Sequence, residues 1–167
     1  MVKIRRAEVA DAPVLAAAEA KIAETPGYMV SSPNEITSDA FAAKIAELSQ
    51  HPRGIYIIAL LDDKIVGHAM LAPMSLSALS HVVRLNIFVY PGFQRQGIGQ
   101  TIMDYLLTWA KQTPGVEKVE LLVRATNKPA IALYKKIGFF EEGKFKKRLK
   151  LPDGSYIDDL AMALFVN

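Results

Sequence analysis

The stretch from Asn86 to Thr101 constrains the fold more than any other part of the chain. Leu85–Tyr90 is an apolar, β-forming run, Pro91-Gly92-Phe93 breaks it, and Gly97 and Gly99 stand where an amphipathic helix opens. That helix runs to about Lys111, with Ile98, Ile102, Leu106 and Trp109 on its predicted buried face. A strand that turns through glycines into a helix presents unpaired N–H groups and a partial positive charge at one spot. Glycine removes the Cβ that would hold a ligand away, so the spot suits a pyrophosphate. Arg95 adds a full charge. Taken alone, Gly97-Ile98-Gly99 also fits a helix start that uses glycine to pack closely on a sheet. Two common phosphate motifs fail here. The dinucleotide fingerprint needs a third glycine where Ile102 stands, and the P-loop needs a Gly-Lys-Ser/Thr that is absent.

The flanking segments predict a layered α/β fold. Val2–Ala7 reads as a strand, and Asp11 as the cap of a helix reaching about Glu24, which Thr25-Pro26-Gly27 stops. Tyr28–Glu35 is a loop, and Ser38–Gln50 a second helix with Phe41, Ile45 and Leu48 on one face. Ile55–Leu61 and Ile65–Leu71 form a hairpin across Asp62-Asp63-Lys64. Val116–Val123 is a strand, Lys128–Lys136 a helix stopped by Gly138, and Phe139–Leu149 pairs with Tyr156–Phe165 across Pro152-Asp153-Gly154. The expectation is one domain, with a mixed sheet of about seven strands flanked by about four helices. Its two strand–helix–strand passages predict parallel pairing in the middle.

Composition supports a folded chain: of 167 residues, 51% are hydrophobic and 22% charged. No apolar run approaches the roughly 20 residues of a membrane helix, and the polar start is unlike a signal peptide, so the expected location is cytoplasmic, with no membrane partner. There is no cysteine, which removes disulfides, thiolate nucleophiles and zinc–thiolate sites. His51, His68 and His81 match no metal-ligand spacing, so no metal is expected and all three read as structural or solvent-facing. The net charge is only +3, with a late basic cluster at Lys135, Lys136, Lys144, Lys146, Lys147, Arg148 and Lys150. Without a nucleic-acid recognition motif, that cluster reads as a solvated strand face or a patch that attracts a phosphate-bearing ligand.

Two motifs carry a family resemblance. Gln94-Arg95-Gln96-Gly97-Ile98-Gly99 resembles the Gln/Arg-x-x-Gly-x-Gly/Ala signature of the GNAT superfamily of N-acetyltransferases. Asn127-Lys128-Pro129-Ala130-Ile131-Ala132-Leu133-Tyr134-Lys135-Lys136-Ile137-Gly138-Phe139 is similar to the family's Asn-x-x-Ala-x-x-Leu-Tyr-x-x-x-Gly-Phe segment. The resemblance implies an enzyme that moves the acetyl group of acetyl-CoA to an amine. It implies that the backbone of Ile87, Phe88 and Val89 lines the pantetheine arm, with the Val89 N–H polarising the thioester carbonyl. It further implies that Arg95, Gln96, Gly97, Ile98, Gly99, Gln100 and Thr101, with Gln94, hold the pyrophosphate. Asn127 would contact the cofactor, a role compatible with capping its helix. Tyr134 would contact the cofactor and act as general acid toward the leaving thiolate. Ile131, Tyr134 and Gly138 also have the spacing of a core helix face.

The general base is unassigned. Some members that acetylate protein N-termini carry a glutamate five residues before the asparagine, where this chain has Leu122. Glu120 lies two residues earlier on the same strand face, and Asn86 could orient a water. The tail from Phe139 resembles a branch acting on amino acids and other small amines. Tyr156, Asp158 and Asp159 would then border the acceptor, where acidic groups suit a cationic amine, or else serve only as polar decoration of an edge strand, and the Tyr28–Glu35 loop would cover the acceptor. The expectation is direct transfer to a small primary amine, such as an amino acid, polyamine or antibiotic-like amine. A peptide N-acetyltransferase and a non-catalytic acyl-CoA sensor on the same fold are the alternatives. An exposed terminal strand would offer an edge for homodimer formation.

Overall fold

A computed structural model describes the whole chain, Met1–Asn167. The order is β1 (Lys3–Arg6), α1 (Ala12–Ala23), α2 (Ser38–Gln50), β2 (Ile55–Leu61), β3 (Lys64–Pro73), β4 (Val82–Val89), α3 (Ile98–Gln112), β5 (Lys118–Arg124), α4 (Lys128–Ile137), β6 (Phe140–Lys150) and β7 (Tyr156–Phe165). Single helical turns lie at Val9–Asp11, Pro33–Glu35 and Ser77–Leu79. No helix is long and apolar enough to cross a membrane.

The seven strands make one sheet in the order β1-β2-β3-β4-β5-β7-β6. Only β4 and β5 pair in parallel, and every other neighbour is antiparallel. Alternation along the strands splits the side chains between two cores. On one face Ile57, Leu71, Val83, Val119 and Met162 pack under α3 and α4 with Ile102 and Leu106. On the other, Tyr56 and Ile58 meet Leu15 of α1 and Ile45 and Leu48 of α2.

Four expectations change. The parallel pairing predicted for the second strand–helix–strand passage does not form, because β7 folds back from β6 and inserts between β5 and β6. For the same reason the terminal strand is interior, and the free edges are β1 and β6. The exposed β6 edge carries Lys144, Lys146 and Lys147, charges that oppose strand-to-strand pairing. The Asp11 side chain does not cap α1. It takes two hydrogen bonds from the Arg5 guanidinium at 2.8 and 2.9 Å and one from the Glu8 N–H at 2.8 Å, so it ties β1 to the turn before the helix. Trp109 is only half-buried, and Met103, Leu107 and Ala110 complete the buried face of α3.

Candidate active site

Strands β4 and β5 touch along a short stretch and then part. Their paired residues are Val82–Arg84 with Lys118–Glu120, and none beyond. Each strand stays paired on its other side: β4 to β3 as far as Val89, and β5 to β7 as far as Arg124. A wedge therefore opens between Leu85–Val89 and Leu121–Arg124. The Tyr90 N–H donates to the Val66 carbonyl at 2.9 Å and the Met74 N–H to the Val82 carbonyl at 3.4 Å. In an antiparallel ladder the bonding direction alternates. Arg84, Asn86 and Phe88 thus turn their backbone groups to β3, while Leu85, Ile87 and Val89 turn theirs into the wedge. Of the three residues expected to line a ligand through the backbone, Ile87 and Val89 have that geometry and Phe88 does not. Buried peptide groups left without a partner are a cost the native state avoids unless something else satisfies them. Within the chain, the only group reaching either is the Gln94 side-chain amide, 3.5 Å from the Val89 carbonyl.

The wedge runs into the glycine loop. Gly92, Arg95 and Gly97 adopt left-handed backbone, with φ of 89°, 61° and 79°. A Cβ on Gly97 would meet nothing within 4 Å, so this glycine serves the backbone conformation and leaves open space above the helix start. Gly99 differs: its Cβ would meet Leu133 of α4 at 3.3 Å and Val89 at 3.8 Å. Both readings of the glycine pair hold, one at each position. The first helical hydrogen bond is Thr101 N–H to the Gly97 carbonyl at 3.0 Å, which leaves the N–H groups of Ile98, Gly99 and Gln100 without helical partners. The side chains nearby are mostly spent internally. Thr101 Oγ1 donates to the Gly97 carbonyl at 3.0 Å, Gln96 Nε2 to the Gly92 carbonyl at 3.2 Å and Gln100 Nε2 to Asp104 at 2.8 Å. The Gln100 Oε1 atom is buried without a partner. Arg95 is exposed and unpaired. An anion seated here would therefore meet backbone N–H groups and Arg95 before any other side chain.

Helix α4 flanks the same wedge. The Asn127 Oδ1 accepts from the Ala130 N–H at 3.3 Å, so this residue does cap its helix. Tyr134 is 7% exposed and its ring packs on Phe139 with 5.7 Å between centroids. Burial pushes its phenol up to about 12, because the charged form would lose its hydration. Its hydroxyl bonds to no protein group. The buried side-chain polar atoms that lack partners are Arg53 Nε and Gln100 Oε1 alone. The Tyr134 hydroxyl therefore opens onto accessible space. Glu120 lies where the strands still touch and is paired with Lys118 at 3.4 Å, while Lys118 also holds Glu142 at 3.0 Å.

The opposite side of the wedge, beneath α1 and the α1–α2 loop, holds two polar clusters. His68 is 2% exposed, with Nδ1 2.6 Å from Tyr90 Oη and Nε2 2.7 Å from Glu19 Oε1. The rings of Phe41, Tyr56, Phe88 and Tyr90 surround it. Burial and the Glu19 carboxylate push the phenols of Tyr56 and Tyr90 well above their usual range. In the second cluster Asp159 is fully buried and held by both Arg124 Nε and Nη2, the latter at 2.9 Å. Arg148 approaches it at 3.9 Å. Asp158 accepts from the Lys147 N–H at 2.7 Å. Asp159 is thus already paired with a cation, while Asp158 is held by one backbone N–H. Tyr156 is exposed, with the Lys147 and Lys150 ammonium groups 5.1 and 5.8 Å from its ring. The sequence reading missed Glu19, Tyr90 and the Arg124–Asp159 pair. No local spacing links them, since they come from α1, the residue just after β4, β5 and β7. His68, one of three histidines read as structural or solvent-facing, is buried.

A parted parallel pair with unpaired peptide groups, a glycine-lined helix start and a buried tyrosine on the neighbouring helix make up the candidate site. The family model described as "Acetyltransferase (GNAT) family" matches residues 22–139. The L-amino acid N-acetyltransferase AaaT of Escherichia coli (strain K12) is 32% identical over 116 residues, which cover 70% of this chain and 71% of that one. A [Ribosomal protein bS18]-alanine N-acetyltransferase of Salmonella typhimurium is 34% identical over 93 residues, covering 56% of this chain and 60% of that one. The crystal structure of a GNAT-family acetyltransferase from Streptococcus pneumoniae superposes with a TM-score of 0.91 at 24% identity, covering 99% of each chain. The chain belongs to the GNAT acetyltransferase family. Its activity is that of an acetyl-CoA-dependent N-acetyltransferase.

Proposed function

We propose that the chain is a single catalytic domain that acetylates the primary amine of a small molecule by direct transfer from acetyl-CoA. The observation that carries this reading is the wedge, where the Ile87 and Val89 peptide groups lie unpaired between the open glycine cradle and the Tyr134 hydroxyl. The pyrophosphate takes the N–H groups of Ile98–Gln100 and the charge of Arg95, and the pantetheine arm pairs with the wedge edge of β4. When bound, acetyl-CoA supplies an activated carbonyl. The N–H groups of Ile87 and Val89 stand on the edge where that carbonyl lies, and a donor aimed at developing negative charge contributes roughly 3 kcal/mol. The neutral amine attacks the carbonyl carbon, a C–N bond forms and the C–S bond breaks. Tyr134 gives its proton to the departing sulfur. Its phenol stays protonated across the physiological range, as a general acid must.

The small-amine reading is favoured over protein N-termini by Leu122, which stands on the acceptor face of β5 where a carboxylate base would be needed to take the amine's proton. Glu120, already paired to Lys118, is a weak substitute, so an ordered water held near Asn86 is the better assignment. The relative that acts on L-amino acids agrees with this reading, and the ribosomal-protein relative is its competitor. The test is release of CoA thiol from acetyl-CoA, screened against amino acids, polyamines, aminoglycosides and N-terminal peptides. Release with free small amines supports the proposal. Release with peptides alone transfers it to protein N-termini, and none with any acceptor despite acetyl-CoA binding indicates a sensor.

A further inference from the structure

On the acceptor side of the sheet, two guanidinium groups converge on one carboxylate. Asp159 is fully buried and already satisfied by the two-pronged bond from Arg124. Arg148 is therefore surplus to neutralising it, and the three side chains leave one net positive charge. The approach of Arg148 is built into the backbone. Strand β6 bulges between Phe145, opposite Asp159, and Leu149, opposite Ile157, so that three residues of β6 face one of β7. At the bulge Lys147 adopts left-handed backbone at φ 53°, a conformation that costs a non-glycine residue of order 1 kcal/mol. The Asp158 carboxylate holds it by accepting the Lys147 N–H. Bulges of this kind re-aim a side chain. Here the bulge turns Arg148 over the Phe145 ring, 5.0 Å from its centroid, and toward Asp159.

The position of this charge matters. The register that sets Arg84 beside Glu120, continued across the wedge, sets Phe88 opposite Arg124. Arg124 thus faces the stretch of β4 that offers its peptide groups to the acyl donor, on the face away from α3 and α4. Ile157, the next residue of β7 on the same face as Asp159, would lie 3.1 Å from a Cβ on Gly27, so the α1–α2 loop closes over the spot. An amine poised at the carbonyl has its own substituents here. In an α-amino acid the carboxylate is bonded to the carbon that bears the nitrogen, so it falls within a few ångströms of that amine. A planar guanidinium matches a carboxylate with two parallel hydrogen bonds, whereas a polyamine would meet like charge.

We propose that Arg124 and Arg148, which share Asp159, bind a carboxylate that the acceptor carries beside its amine, and so select amino acids over polyamines and aminoglycosides. This rests on the acyl-transfer reading above. The test compares L-amino acids with their carboxamides, and with spermidine, in the thiol-release assay. The expected result is a kcat/KM about tenfold or more higher for the acids than for the amides. Arg148→Gln should raise KM for the acids by about tenfold or more, with kcat and the amide KM little changed. Arg148→Lys should recover part of the loss. Arg148 is half-exposed and Arg124 still neutralises Asp159, so the variant keeps its fold. Equal use of acids and amides, preference for spermidine or for peptides, or an unaltered KM in Arg148→Gln overturns the proposal. If no amine is turned over, the acyl-transfer reading fails by itself. Calorimetric titration of the amino-acid panel into the enzyme–CoA complex then decides the carboxylate site. Binding lost in Arg148→Gln sustains it, and no binding to the unsubstituted protein refutes it.

Discussion

Gly67→Ala tests the link between packing and the wedge. Gly67 lies opposite Val89 in the β3–β4 ladder. A Cβ built there would sit 2.7 Å from the Phe88 carbonyl oxygen, 3.4 Å from Ile102 Cδ1 and 3.5 Å from the Val89 Cα. The nearest atom is backbone, so no rotamer change relieves it, and β4 must retreat from β3 by about half an ångström to restore ordinary contact. Overpacking of this kind costs about 1–3 kcal/mol, which for a chain of this size lowers Tm by roughly 2–4 °C for each kcal/mol. The displaced strand is the one whose far edge carries the Ile87 and Val89 peptide groups. A misplacement of about 1 Å at a reacting centre costs up to about 10²-fold in rate, so half of that predicts a loss of about tenfold in kcat/KM for acetyl-CoA. Urea unfolding followed by circular dichroism reads the first effect, and the thiol-release assay the second. Gly143→Ala is the control, because a Cβ there meets nothing within 4 Å. An unchanged midpoint and unchanged kinetics in Gly67→Ala would refute the argument that β3 positions the cofactor strand.

Tyr134→Phe should leave acetyl-CoA affinity unchanged and lower turnover by about 10²-fold or more; full activity would remove the tyrosine from its acid role. Arg124→Met removes the two-pronged partner of the fully buried Asp159 carboxylate, leaving Arg148 at 3.9 Å, and should cost about 3 kcal/mol in urea unfolding, with Asp159→Asn in the same background recovering part of it. From neutral pH upward, stability should be level to about 10 and fall above it. The burial-raised Tyr134 phenol binds its proton in the folded state up to about 12, while the unfolded chain releases it near 10. Tyr134 alone withdraws roughly 3 kcal/mol across that window, and Tyr56 and Tyr90, raised in the same direction, add to the loss. Chemical denaturation at stepped pH reads this, and a curve that stays level to pH 12 would show that the phenols are not buried in the folded state.

The elements were legible wherever a local signal was strong. The hairpin around Asp62-Asp63 was readable because polar turn residues separate two β-branched runs, and both aspartates do take left-handed backbone, at φ 50° and 61°. Helix α2 matches its predicted span because its apolar face has helical period and Thr37 caps it. The faces of α3 were less legible. Its buried arc is wide enough to take Met103, Leu107 and Ala110, while Trp109, expected inside, lies at the rim.

By itself the sequence determined the chemistry that local order can encode. This comprised the strand–glycine–helix turn, the capped helix that carries Tyr134, and the alternation of strands and helices. Such features depend on residues adjacent in the chain, whose spacing sets backbone conformation directly. Tertiary structure alone decided the wedge between β4 and β5, the insertion of β7 beside β5, and the burial that keeps the Tyr134 proton in place. It also brought Glu19 to His68, and Arg124 and Arg148 to Asp159. Those pairings join residues far apart in sequence, and they form because each strand must satisfy its backbone groups and bury its apolar face in one common sheet.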